Sequence, residues 1–152
     1  MLKIILAGSH LLALSIGMMA TVLRGSALRE PPTAETLRRA FRMDLFWGIA
    51  AGLWLVTGLW RLLGHVEKPT AYYLENHWFL AKMGLFVLIV LLEIGPMLTL
   101  MRWRKALRAG ASPASLVTAA AGRRIAIIGH VQATLALLMI FAAVAMARGY
   151  GM

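Results

Sequence analysis

Residues 83–101 read MGLFVLIVLLEIGPMLTLM, and Glu93 is the only charge among them. Wound as an α-helix at 1.5 Å per residue, the run covers ~28 Å, close to the ~30 Å hydrocarbon core of a bilayer. Its apolar residues follow one another without alternation, so it reads as a spanning helix rather than a barrel strand. Three further runs accompany it. Residues 4–23 are uncharged, residues 45–60 lie between Asp44 and Arg61, and residues 125–147 carry only His130 and Gln132 as strongly polar groups. The second run is short, but Leu62-Leu63-Gly64 extend it past Arg61, whose long stem lets its charge snorkel. The expected architecture is a single all-α domain over residues 1–152, an integral membrane four-helix up-down bundle. Its expected spans are about 4–23, 43–64, 78–101 and 124–147.

Composition agrees. Of 152 residues, 61% are hydrophobic and 14% charged. A soluble domain of this size cannot bury so much apolar surface. The sequence has no cysteine, which excludes disulfides, thiolate metal sites and cysteine nucleophiles. The formal charge of +10 does not mark a nucleic-acid binder, because the basic residues sit between the apolar runs. Lys3 followed by an apolar stretch resembles a signal peptide. The run is long for one, however, and no convincing small-x-small cleavage site follows.

The basic residues set an orientation. Arg24, Arg29, Arg38, Arg39, Arg42, Arg102, Arg104, Lys105, Arg108, Arg123 and Arg124 fall on one side. Lys3, Arg61, Lys68, Lys82 and Arg148 fall on the other. The positive-inside rule makes the first side cytoplasmic and turns both termini outward. Within PPTAETLRRAFRMDLF (31–46), Leu37, Phe41 and Leu45 recur at helical spacing. This predicts an amphipathic juxtamembrane helix over 33–44, started by Pro31-Pro32, running into the second span and gripping anionic lipid. Trp60, Tyr72, Tyr73, His77 and Trp78 are expected as interface anchors. Gly48-x-x-x-Gly52 reads as a helix-packing face, within or between chains, and the ten methionines read as packing.

The intramembrane polar residues sort by depth. His10 lies seven residues beyond Lys3, ~10 Å from the outer side, and Thr57 and Lys82 fall near that level. In the inner half, His130 is six residues beyond Arg124, ~9 Å deep, and Glu93 is eight residues before Met101, ~12 Å deep. Glu93 therefore meets His130 if their faces agree, with Asp44 at the cytoplasmic mouth; the alternatives are a Glu93 kept protonated by desolvation or paired with an arginine. Pro96 cannot donate a backbone bond, so it leaves the Leu92 carbonyl without its helical partner and favours a kink.

The stretches TAYYLENHWFLAKMGLF (70–86), RWRKALRAG (102–110) and ARGYG (147–151) resemble a family of small bacterial membrane proteins of unknown function, from about residue 40 to the C-terminus. More distantly, His10, Lys82-x-Gly-Leu and the RWR exit from the third span are similar to the HemJ-type protoporphyrinogen oxidases. That resemblance implies a four-helix bacterial inner-membrane protein that handles a tetrapyrrole. It further implies haem b as cofactor, His10 as iron ligand, and Lys82 and Thr57 in the pocket. The HemJ pattern places a second histidine eleven residues after the lysine, where this sequence has Glu93, and a carboxylate is not a usual axial ligand of haem b. Depth also separates His10 from His130 by roughly 10 Å in a ~30 Å core, which argues against a bis-histidine haem and leaves a five-coordinate one on His10.

Two other functions fit the sequence. Small size and simple loops suit a non-enzymatic accessory or assembly subunit, as a homo-oligomer or within a membrane complex. Glu93 and His130 together would suit a small proton-coupled carrier. No phosphate-binding loop, HExxH or GxSxG motif is present.

Overall fold

The computed structural model describes residues 1–64 and 68–151. The elements are α1 (Leu2–Ala27), α2 (Ala34–Leu63), α3 (Thr70–Glu75), α4 (His77–Arg108), α5 (Pro113–Leu116) and α6 (Ala119–Ala147). The four long helices, α1, α2, α4 and α6, are each long and apolar enough to cross a membrane. Their large outward side chains, such as Ile49, Val56, Leu91 and Phe141, are exposed all along the bundle, as lipid rather than water would require.

Local chemistry sets the helix starts. Thr33 and Thr36 form a reciprocal capping box, so Thr33 caps α2 directly after the Pro31-Pro32 pair and the helix begins at Ala34. The amphipathic segment and the second span are one uninterrupted helix. Asn76 accepts from the backbone N–H groups of Trp78 and Phe79 and starts α4. Thr118 does the same for α6 through Ala121. The helices extend beyond the apolar runs they carry, and α1 reaches Ala27. α4 continues past residue 101 to Arg108, because Trp103 and Leu107 pack with Leu37, Ala40 and Leu28 in a cluster at the basic end. α6 begins at Ala119, ahead of Arg124, for which Thr118 supplies the cap. α4 also runs through Pro96 as one element, with the proline ring buried.

The helices pack in the order α2–α1–α6–α4, and no comparable backbone approach joins α2 to α4. The tightest seam is α1 on α6. A Cβ on Gly129 would lie 2.7 Å from the Thr21 carbonyl oxygen, and one on Gly122 would collide with the Leu28 carbonyl. Small residues here let two backbones meet, the usual device where lipid offers no hydrophobic drive for association. Gly48 and Gly52 do not serve this purpose within the chain. Nothing lies within 4 Å of a Cβ on either, and both sit on the exposed face of α2.

At the end opposite the basic loops, the C-terminal tail pins the start of α4. Asn76 Nδ2 donates to the Tyr150 carbonyl at 2.9 Å, and the His77 backbone N–H donates to the Gly151 carbonyl at 3.0 Å. Gly149 and Gly151 reach this path at φ +85° and +89°, a region that glycine enters without penalty. Of the expected interface anchors, Trp60 and Trp78 are exposed. Tyr73 is instead buried, and the Tyr72 hydroxyl donates to the Met146 carbonyl, so both tyrosines hold the bundle end together.

Candidate functional site

α2 and α4 meet mainly through side chains, and those side chains divide the space between them. Towards the basic end lies an ion-pair network. Arg24, fully buried on α1, donates through both terminal nitrogens to the Glu93 carboxylate on α4, at 2.8 Å for the Nη2–Oε2 bond. Arg24 Nη1 also donates to Asp44 Oδ1 on α2 at 2.9 Å. Asp44 Oδ2 accepts in turn from Arg104 Nη2 on α4 at 2.8 Å, and the same Arg104 nitrogen reaches the Phe41 carbonyl at 3.1 Å. From α6, Gln132 Nε2 donates to Glu93 Oε2 at 2.9 Å and to the Ile89 carbonyl at 3.2 Å. Two arginines face two carboxylates, so the cluster is formally neutral, which makes burial of its charges tolerable. It ties all four long helices together over the basic half of the bundle.

The other half of the bundle holds a cleft of about 120 Å³ between α2 and α4. Leu55, Gly58 and Leu59 form one wall, Phe79, Lys82 and Phe86 the other, and His10 and Met139 stand behind them. Trp54 borders the cleft and meets Phe86 edge-to-face at 5.3 Å, closing it from the ion-pair level. A separate cavity of about 10 Å³, the size of one water, lies beside Trp54 and Gln132.

His10 is held in one orientation. Thr57 back-bonds along its own helix, its hydroxyl donating to the Leu53 carbonyl at 2.7 Å. With the hydroxyl proton used there, Thr57 Oγ1 accepts from His10 Nδ1–H at 2.9 Å. That bond fixes the ring and turns its Nε2 edge away from Thr57. Gly58 makes room for the ring, since a Cβ there would lie 3.1 Å from His10 Cε1. The Lys82 ammonium sits 5.3 Å from the Phe79 ring centroid, half-buried on the opposite wall.

The structure thus brings His10 and Thr57 into contact and puts Lys82 on the same cleft. It also brings Glu93 and Asp44 together, through Arg24. It does not bring Glu93 to His130. His130 is exposed on the outer face of α6, two residues from the inward-facing Gln132, and of the partners open to Glu93 it is an arginine, Arg24, that pairs with it, beside Gln132. Arg24 is the residue that sequence reasoning missed. As the first charge after an uncharged run it counted as a loop residue, although α1 continues three residues beyond it. The signal was its antiparallel register: His10 pairs with Thr57, and the same register sets Arg24 opposite Asp44. Among the described residues, no group of three or more His, Cys, Asp or Glu is arranged to hold a metal ion.

Comparison with known families gives one match. The family model described as "Predicted membrane protein (DUF2214)" covers residues 2–151. No curated protein and no solved structure matches the chain.

Proposed function

We propose, for a chain that belongs to the DUF2214 family of membrane proteins, that the cleft between α2 and α4 binds a lipid-soluble ligand carrying an anionic group, with a haem b-type tetrapyrrole as the candidate. The observation that supports this most is the His10 ring, fixed through Nδ1 by Thr57 across an apolar cleft from Lys82. Hydrogen bonding at Nδ1 is the usual way a ligating histidine is oriented and its tautomer selected. The donor set fits the group: His10 would hold the iron, Lys82 a propionate carboxylate, and Phe79, Phe86 and Met139 the apolar ring. When bound, such a group supplies redox chemistry at its iron. The cleft volume of about 120 Å³ falls below the ~300 Å³ typical of a closed ligand pocket. The residues thus match the group in kind, while the cleft as it stands is too small for the ring, and uptake on His10 requires its α2 and α4 walls to part.

The test is optical. Protein purified in mild detergent and reconstituted with haem b should show a Soret band that His10→Ala abolishes and Thr57→Val shifts. Failure of the wild-type protein to take up haem would end the tetrapyrrole reading.

A second reading, an accessory subunit of a homo-oligomer or membrane complex, draws support from Gly48 and Gly52, small residues on an exposed helix face with nothing packed on them. Native mass spectrometry decides it, and a strictly monomeric protein with no co-purifying partner counts against it. The proton-carrier reading is not retained, because Arg24 and Gln132 occupy the Glu93 carboxylate and His130 is remote from it. The location we propose is a bacterial inner membrane, with the basic loops cytoplasmic and both termini outside.

A further inference from the structure

We infer that the groove between the basic end of α1 and the start of α2 is a binding site for the phosphate headgroup of an anionic phospholipid. This inference is independent of the cleft. The groove, of about 680 Å³, is lined by Leu23 and Ser26 from α1 and by Glu35, Arg38, Arg39 and Arg42 from α2, with Met43 completing it. Its arginines are not equivalent. Arg39 donates to Glu30 at 2.8 Å. Arg38 and Arg42 are exposed and make no ion pair among the described residues. They lie four residues apart on one helix, so their guanidinium groups rise from the same face of α2, one turn apart. The chain satisfies Arg24 and Arg104 at the same end with Asp44 and Glu93. Arg38 and Arg42 are left to face an external anion, and the single Glu35 does not balance them.

Three features favour a phospholipid over a soluble anion. The first is level: Arg38, Arg42 and Ser26 lie just beyond the apolar run of α1 and the start of the second span, where headgroups sit. The second is continuity: Leu23 and Met43 carry the groove from the arginines towards the hydrocarbon, giving an acyl chain a path beside the phosphate. The third is rigidity. The capping box and the unbroken α2 hold the two arginines in fixed spacing before any ligand arrives, which lowers the ordering cost of binding. Guanidinium groups suit the task, since their planar donors match phosphate oxygens two at a time. The Ser26 hydroxyl, also exposed on the groove, adds a neutral donor.

The test uses the full-length protein in detergent, titrated with phosphatidylglycerol, with phosphatidylcholine and, separately, with inorganic phosphate, and read by native mass spectrometry. Wild type should retain phosphatidylglycerol at least tenfold more tightly than phosphatidylcholine. The double variant Arg38→Gln/Arg42→Gln should lose about tenfold or more of that affinity. Lys105→Gln/Arg108→Gln removes the same charge from the same end outside the groove and should change it less than threefold. Arg38→Lys/Arg42→Lys keeps the charge and should recover part of the affinity. Equal losses in the two Gln double variants would overturn the site in favour of diffuse attraction. Equal retention of the two lipids would overturn it outright, and inorganic phosphate binding as tightly as the lipid would reassign it to a soluble anion. Thermal unfolding of each variant confirms the fold, which exposed substitutions should leave intact.

Discussion

Removing Glu93 should unfold the protein more readily than removing any other single membrane-embedded polar side chain, and the loss should disappear when Arg24 is removed with it. Glu93→Leu strips the fully buried Arg24 of its bidentate partner and leaves it only Asp44, which Arg104 also claims. Breaking a buried ion pair from one side costs ~3–5 kcal/mol, because an uncompensated charge stays behind. Two details place this case near the lower bound. The Glu93 side chain is 12% exposed, and Asp44 still supplies a negative charge at 2.9 Å. About 3 kcal/mol, or roughly a hundredfold in the unfolding equilibrium, is therefore expected. In Arg24→Met/Glu93→Leu no orphaned charge remains, and replacing a whole buried pair with apolar residues is often close to neutral. Equilibrium unfolding in mixed micelles with increasing dodecyl sulfate, run as a double-mutant cycle, measures the coupling directly. Simple additivity of the two single losses, or a Glu93→Leu loss below about 1 kcal/mol, would refute the claim that this network holds the bundle.

Other outcomes follow from the same geometry. His130→Ala should change stability by no more than about 0.5 kcal/mol in the same assay, because its side chain faces outward and touches no network member. Gly129→Ala should cost about 1–3 kcal/mol by pushing α6 off the Thr21 carbonyl, while Gly48→Ala, with open space around it, should be neutral or stabilising. The absence of cysteine makes single-cysteine labelling clean. An impermeant maleimide applied to intact cells should label Glu75→Cys and not Ser112→Cys, and the reverse pattern would invert the topology.

Much of the fold was legible because a bilayer leaves few alternatives. Apolar runs of the right length must be helices, and their number and order follow. The depth arithmetic worked for residues on neighbouring antiparallel helices, as with His10 and Thr57, where register converts sequence position into height. It failed for Glu93 and His130 because depth says nothing about azimuth. Gln132 and His130 are similar in depth, yet only Gln132 points inward. The helix ends lie beyond the apolar runs for a different reason. Hydropathy marks where lipid stops, whereas α4 stops where Trp103 and Leu107 no longer find partners. That α2 and α4 meet through side chains rather than by close backbone approach left no trace in either composition or periodicity.

The separation of those two helix backbones gives the cleft the form of a slot held at both ends. At one end the Arg24–Asp44–Arg104 bridge spans α2 and α4, with the Trp54–Phe86 ring contact beside it. At the other, Leu62 packs with Tyr73 and Phe79, and the Thr70 hydroxyl donates to the Leu62 carbonyl. Gly58 lies between them, fourteen residues from Asp44 and ~21 Å along α2. A slot pinned at both ends widens by bowing at mid-length or by turning side chains such as Lys82, so its opening faces sideways, towards lipid.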